Sequence, residues 1–497
     1  MSNQKKKPNI LMIMADQFNP KFIGAYGKNF PDTPNIDKLA EKGVLFENFY
    51  CNSPLCVPSR ASLMAGKSIS EIEVYDNGAE FKASIPTFLH YLRKEGYRTV
   101  CSGKLHYVGP DQLHGFEERL TTDIYPANFA WTPEWKIGLD HEDTADGIGE
   151  TGVVLWSDQL DFDHEVHMRA LEAIRKFGRS KNEQPFFLFV SYTHPHDPYL
   201  ITQEYWDRYS DVDIPMPSVP PKYFEDMHKY NQWTQIRHGL DVNPPTEDKI
   251  LNARRTYAGM ASFIDDMVGE LLKEINKFSL DEDTIIIFTS DHGDMMGEHG
   301  MWFKRTLMED SIRIPFIVSW PKEWKVQRIS NPASLIDLFP TMLKVANVEN
   351  YEELADELNG ISLVNELNGS KITDRTVITE HCGDGTIRPA IAVRRGHYKY
   401  IYINDIPSLL FDLEHDPNEE VNLADNYSLR DIVNNLYARV PEKFIDGTLF
   451  ETILQNQEDR TIIQDAMICG KYNSWDYQPF FDASKQYRRD LLKPSKR

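Results

Sequence analysis

The 497-residue chain predicts an α/β protein. The expected architecture is a large mixed, mostly parallel sheet sandwiched by helices, then a smaller C-terminal α+β subdomain and an extended tail. Three observations carry this. Apolar runs rich in Ile, Val and Phe recur along the chain, segments of helical character alternate with them, and the pattern changes beyond about residue 380. Runs that are apolar throughout, rather than at every second position, suit strands buried on both faces of a parallel sheet.

The apolar runs are Asn9–Ala15, Tyr97–Cys101, Pro185–Ser191, Thr284–Ser290 and Pro315–Ser319. Helices are expected over Asn35–Lys42, Ile85–Glu95, His164–Phe177, Arg254–Phe278 and Leu335–Val345. Proline-rich Asp213–Lys222 reads as a loop. Further on, Ala392–Ile403 alternates like an exposed antiparallel strand, Leu410–Leu413 reads as another strand and Ser428–Val440 as a helix. The expected division is a catalytic domain over 1–385, a subdomain with a small antiparallel sheet over 386–440, and a tail over 441–497.

Lys and Arg total 54 against 76 Asp and Glu, a net charge of −22. That balance argues against a nucleic-acid partner, which calls for a basic face. No stretch approaches the length of a membrane span. The basic Met1–Pro8 is followed by a short apolar run that meets Asp16 at once, unlike a secretory leader. Five cysteines are too few and too odd a set for a disulfide framework, so a cytoplasmic protein is expected.

The residues just past each run are more informative. Asp16-Gln17 comes after the first, Lys104-Leu105-His106 after the second, His194-Pro195-His196 after the third and Asp291-His292 after the fourth. Sites in open α/β sheets gather beyond the carboxyl ends of the strands. A single such cluster is ordinary loop charge, and Asp16 alone reads as a helix cap. Four clusters on one sheet edge point to a site. Asp16, Gln17, Asp291 and His292 form an oxygen-rich set with one nitrogen, suited to Ca²⁺, with Mn²⁺ or Mg²⁺ as alternatives. Cys56 lies at or just before the start of an expected helix, where anions are favoured, with Arg60 behind it.

The stretch Cys56-Val57-Pro58-Ser59-Arg60, continuing to Leu63 and Gly66, resembles the signature of the sulfatase family; Ala65 stands where Thr is usual. The resemblance implies the fold of that alkaline-phosphatase-like superfamily. It implies that a maturation enzyme oxidises Cys56 to formylglycine, whose hydrate attacks sulfur covalently and joins the metal ligands. Arg60, Lys104 and Lys304 would neutralise the sulfate, His196 would protonate the departing alcohol and His106 would take the proton from the second hydroxyl. Gln17 and His292, where sulfatases at large often have an acid and Asn, resemble the branch of choline sulfatases and phosphonate monoester hydrolases.

Within that branch, His106–Pro126, Thr193–Tyr199 and Ser474–Tyr487 are similar to choline sulfatases. The substrate implied is choline-O-sulfate. A quaternary ammonium calls for aromatic faces and a nearby negative charge. By resemblance Trp131 and Trp475 form that cage, Asn77 and Glu380 supply polar contact and counter-charge, and His194 stands close behind. A tail so distant in sequence is expected to reach either its own site or that of a neighbouring subunit, and a homo-oligomer, dimer or tetramer, is expected. The alternatives are a phosphonate monoester or phosphodiester hydrolase, and an inactive binder of quaternary ammonium compounds.

Overall fold

The structure, a computed structural model, describes residues 7–27, 30–139, 148, 150–180, 184–355, 357–370 and 375–469. Of the expected tail over 441–497, the described part to residue 469 is not extended but carries the helices Glu442–Ile445 and Thr448–Ile468, while residues from 470 onward, with Trp475, lie outside the described residues, as does most of 140–149.

In chain order the strands are β1 (Asn9–Ala15), β2 (Val44–Tyr50), β3 (Arg98–Gly103), β4 (Glu118–Arg119), β5 (Gly152–Val153), β6 (Phe186–Tyr192), β7 (Leu200–Ile201), β8 (Thr284–Ser290), β9 (Arg313–Ser319), β10 (Gln327–Ile329), β11 (Ala333–Ser334), β12 (Thr376–His381), β13 (Ala390–Arg395), β14 (Tyr398–Ile403) and β15 (Ile406–Asp412). The main sheet has nine strands in the order β10-β2-β9-β8-β1-β6-β3-β4, with β11 also on β2. Among the described residues of this sheet, only β9 runs against its neighbours β8 and β2; the other pairings are parallel. β5 and β7 form a separate parallel pair.

β1 sits at the centre because every residue after Asn9 is buried and both faces are covered. Ile10, Met12 and Met14 enter one core, with residues of the helices Cys56–Ala65, Phe88–Lys94 and Leu338–Val345. Leu11, Ile13 and Ala15 enter the other, against the helices Pro34–Glu41, Asp158–Arg179 and Glu247–Lys277. This is the two-sided burial that an uninterrupted apolar run demands. β2 was not anticipated: its sequence VLFENFY carries Glu47 and Asn48 in mid-strand, which breaks the apolar run.

The segment read as one exposed strand, Ala392–Ile403, is a hairpin of β13 and β14 turning at Gly396-His397. Its sheet, β12-β13-β14-β15, is buried on both sides. Ala390, Ala392, Ile401 and Phe411 face the main core, while Ile391, Val393, Tyr400 and Leu410 face the helices Arg430–Tyr437 and Thr448–Ile468. β12 joins this sheet from ahead of residue 386. Among the described residues, no helix is long and apolar enough to cross a membrane.

Candidate active site

β1 and β8 are direct neighbours, with Ala15 opposite Ser290, so Asp16 and Asp291 leave the sheet side by side. The helix Cys56–Ala65 begins beside them, and Gly66, in the left-handed region at φ 66°, ends it. Ser59 Oγ donates to the Asp291 carbonyl at 2.6 Å, which pins the helix to the β8 end. Asn77 Oδ1 accepts from the Val57 amide at 3.1 Å and thus caps the helix start that presents Cys56.

Arg60, one helical turn after Cys56, reaches the same point. Its Nε donates to Asp291 Oδ2 at 2.8 Å and its Nη1 to the Lys104 carbonyl at 2.7 Å and Ser191 Oγ at 2.9 Å. Lys104 Nζ pairs with Asp16 Oδ2. Each charge here is buried and compensated, as burial requires. Burial would raise the Asp291 carboxyl, but Arg60 and His292 hold it well below the usual range.

Cys56 Sγ lies 3.1 Å from His292 Nε2. Burial would raise the thiol; Lys104, Lys304 and His292 outweigh it and hold it well below the ordinary value. Burial pushes His106 down, against the pull of Cys56 beside it. The pattern is a buried point built to stabilise negative charge at residue 56.

Among the polar atoms left over is one carboxylate oxygen. Asp16 Oδ1 is buried without a hydrogen-bond partner, 3.7 Å from His292 Nε2. Ligand atoms of Asp16, Cys56, Asp291 and His292 all lie within 4.8 Å of one another. An orphaned carboxylate oxygen inside a compact O/N/S set fits a divalent cation. Gln17, at φ 61°, turns its amide away from this set: Nε2 donates to Asp294 Oδ2 at 2.6 Å and to Asp197 Oδ1 at 3.1 Å, and Oε1 accepts from Lys304 Nζ at 2.6 Å.

His196 Nδ1 donates to the Asp197 carbonyl at 2.6 Å. A carbonyl only accepts, so Nδ1 carries the hydrogen and Nε2 is left facing the Lys304 ammonium, with which it pairs closely. Burial would raise Asp197; His196 and Lys304 bring it down to about 2. His194 lies deeper. Its Nδ1 is 2.7 Å from Asp163 Oδ2, and its ring packs on Phe263.

Cys56, Asn77, His106, Tyr125, Trp131, His196, Asp197 and Lys304 open into one cavity of about 400 Å³. Trp131 stands at its wall, 42% exposed, with its ring centroid 5.2 Å from that of Tyr125 and 5.4 Å from that of His106. Glu380 is elsewhere: its carboxylate is buried and accepts from Ser70 N at 2.9 Å and Ser70 Oγ at 2.8 Å. His194 also does not line the cavity, and Trp475 is outside the described residues.

Several contributors were not read from the sequence. Tyr125 spreads its ring 4.3 Å from Lys104 Nζ. Asp294 binds Gln17, Tyr199 Oη at 2.6 Å and the Phe303 amide at 3.1 Å. Arg237, Arg305 and Asp384 form a further wall. Asp294 closes the polar cluster Asp291-His292-Gly293-Asp294 and Tyr125 lies in the stretch His106–Pro126, though the pattern assigns neither a role; Arg237, Arg305 and Asp384 carry no local signal.

The sulfatase family pattern matches residues 8–348. The pattern for the C-terminal part of N-sulphoglucosamine sulphohydrolase matches 297–445, and that for the choline sulfatase C terminus matches 451–493. The chain is 38% identical to a choline-sulfatase of Rhizobium meliloti over 506 aligned residues, covering 99% of this chain and 98% of that protein. It is 29% identical to an arylsulfatase of Clostridium perfringens, covering 86% and 93%. In fold it is similar to a phosphonate monoester hydrolase of Agrobacterium radiobacter, with TM-score 0.69 at 22% identity over 91% of this chain and 96% of that one.

Proposed function

The chain belongs to the sulfatase family, and from that premise we propose that it hydrolyses choline-O-sulfate to choline and sulfate through residue 56 oxidised to formylglycine. The observation that carries the reading is a single cavity with two kinds of wall. Its floor holds Cys56, His106, His196 and Lys304; its side holds Trp131 and Tyr125. The first suits a sulfate ester, the second a quaternary ammonium. The similarity to a choline-sulfatase along nearly the whole chain supports the same substrate.

Asp16, Asp291 and His292, with residue 56, would hold one divalent ion, Ca²⁺ before Mn²⁺ or Mg²⁺, while Gln17, expected among the ligands, has its amide bonded to Asp294, Asp197 and Lys304 instead. The ion supplies Lewis-acid charge to the ester oxygens, and the formylglycine hydrate supplies the covalent nucleophile. The chain's own residues do the rest. Arg60 and Lys104 pair with Asp16 and Asp291 and hold them in place. Lys104 and Lys304 set positive charge around residue 56. His196 presents Nε2 to the cavity, and the proton it shares with Lys304 Nζ goes to the departing alcohol oxygen. His106, buried beside residue 56, takes the proton released when sulfate is expelled. The proposal includes a formylglycine-generating partner, a cytoplasmic setting and a homo-oligomer, with the tail over 441–497 contributing to the substrate pocket or to oligomer contacts.

The test is a paired assay on protein from its native host. The peptide containing Cys56 is expected to be lighter than its thiol form by mass spectrometry, and choline-O-sulfate is expected to turn over faster than phenyl phosphonate esters. The reverse order would favour a phosphonate hydrolase. Quaternary-ammonium binding without turnover, unchanged by Cys56→Ala, would mark an inactive binder.

A further inference from the structure

Lys304 sits in an unusual turn. Phe303 on one side has φ 61° and Arg305 on the other φ 75°, both in the left-handed region that side chains disfavour. Such a turn persists only where its surroundings hold it. Phe303 is held by Asp294, to which its amide donates at 3.1 Å, and by Met295, whose amide donates to the Phe303 carbonyl at 2.7 Å. The Arg305 side is held from another part of the chain altogether. Its Nε lies 2.7 Å from Asp384 Oδ2, and its carbonyl accepts from Thr234 Oγ1 at 3.1 Å.

Asp384 is itself anchored. Arg237 Nε donates to Asp384 Oδ1 at 2.5 Å. The Asp384 carbonyl is 2.7 Å from His381 Nε2, and His381 Nδ1 is 2.7 Å from Tyr230 Oη. Tyr230 and Arg237 lie on one helix, Lys229–Arg237. The chain after Asp384 lies against Arg305 itself: a Cβ on Gly385 would stand 2.5 Å from Arg305 Cβ. The loop after β12 is thus clamped from the helix, and it clamps the residue next to Lys304.

We propose that Asp384 is a positioning residue for Lys304, acting through Arg305: it holds the left-handed turn that aims the ammonium at His196 and the reacting ester. The proposal rests on the reading of Lys304 as a cation of the reaction centre. Burial would raise the Asp384 carboxyl, but Arg305 and Arg237 bring it down to about 2, so the clamp is ionic at neutral pH.

The experiment is a double-mutant cycle on the mature full-length enzyme, with choline-O-sulfate and para-nitrophenyl sulfate as substrates. Asp384→Asn is expected to lower kcat about 10- to 100-fold for both, the scale of a misplaced catalytic group, with KM little changed. Asp384→Glu is expected to recover part of the loss. In a Lys304→Ala background, Asp384→Asn is expected to add nothing. Losses that multiply in the double variant would overturn the proposal. So would a rise in KM for choline-O-sulfate alone, which would make Asp384 a substrate contact. Should Asp384→Asn fail to fold, Arg305→Lys reads the same link: a kcat loss that vanishes in the Lys304→Ala background supports it, and an unchanged kcat refutes it. If wild type hydrolyses the aryl sulfate but not choline-O-sulfate, the substrate reading falls while the cycle still reports on Asp384.

Discussion

Replacing Trp131 by Ala isolates the cation–π part of substrate binding. Trp131 is 42% exposed, and its ring lies 5.2 Å from that of Tyr125, so an ammonium at this wall meets two aromatic groups while still partly wet. A cation over an exposed ring gains about 0.5–1 kcal/mol, and about 2 kcal/mol when desolvated. The half-open position puts Trp131 at about 1–2 kcal/mol, which is about 5- to 30-fold in kcat/KM. The control is dimethylbutyl sulfate, the isostere with carbon in place of the quaternary nitrogen. It buries the same apolar surface and carries no charge, so Trp131→Ala removes packing from both substrates but cation–π attraction from only one. Steady-state kinetics on both esters should show wild type preferring choline-O-sulfate, and the variant losing about 5- to 30-fold of that preference. Trp131→Phe should keep part of it. An equal loss for the two esters would refute the role assigned to Trp131.

The buried charges lead to three further outcomes. Arg60→Gln leaves Asp16 and Asp291 short of a partner and should cost about 3–5 kcal/mol in denaturant unfolding of metal-free protein; a change under about 1 kcal/mol would contradict the charge accounting. Calcium should raise the melting temperature of chelator-treated enzyme, and Asp291→Asn should abolish that rise; a wild type that melts identically with and without calcium would refute the metal site. Asp384, at about 2 in the fold, is lowered from its unfolded value, so its contribution is present above about pH 4 and lost as the pH falls toward 2. Asp384→Asn should therefore be less stable than wild type by about 2 kcal/mol at neutral pH, with the gap closing in acid. A gap unchanged between pH 6 and pH 3 would show that the ion pairs contribute no stability.

The chain by itself determined the strand runs and the chemistry at their ends. Both are local: an apolar run of seven residues can satisfy its backbone in a parallel sheet only if both faces are covered, and the polar pairs just past it must then emerge on one edge. Cys56 and Arg60 were legible for the same reason, since four residues on a helix fix their relation. What the chain does not display is anything that depends on strand order or on meetings between distant segments. The reversed β9, the double-sided burial of the β13–β14 hairpin and the capture of Glu380 by Ser70 are of that kind. So is Gln17, whose amide is drawn to Lys304 and Asp294 because buried polar groups take the partners that tertiary packing brings nearest. The second wall of the cavity, Arg237, Arg305 and Asp384, is assembled from three elements far apart in the chain. Ion pairs of this reach leave no periodicity or spacing to read, because only the packed fold brings their charges within bonding distance and excludes the water that would screen them.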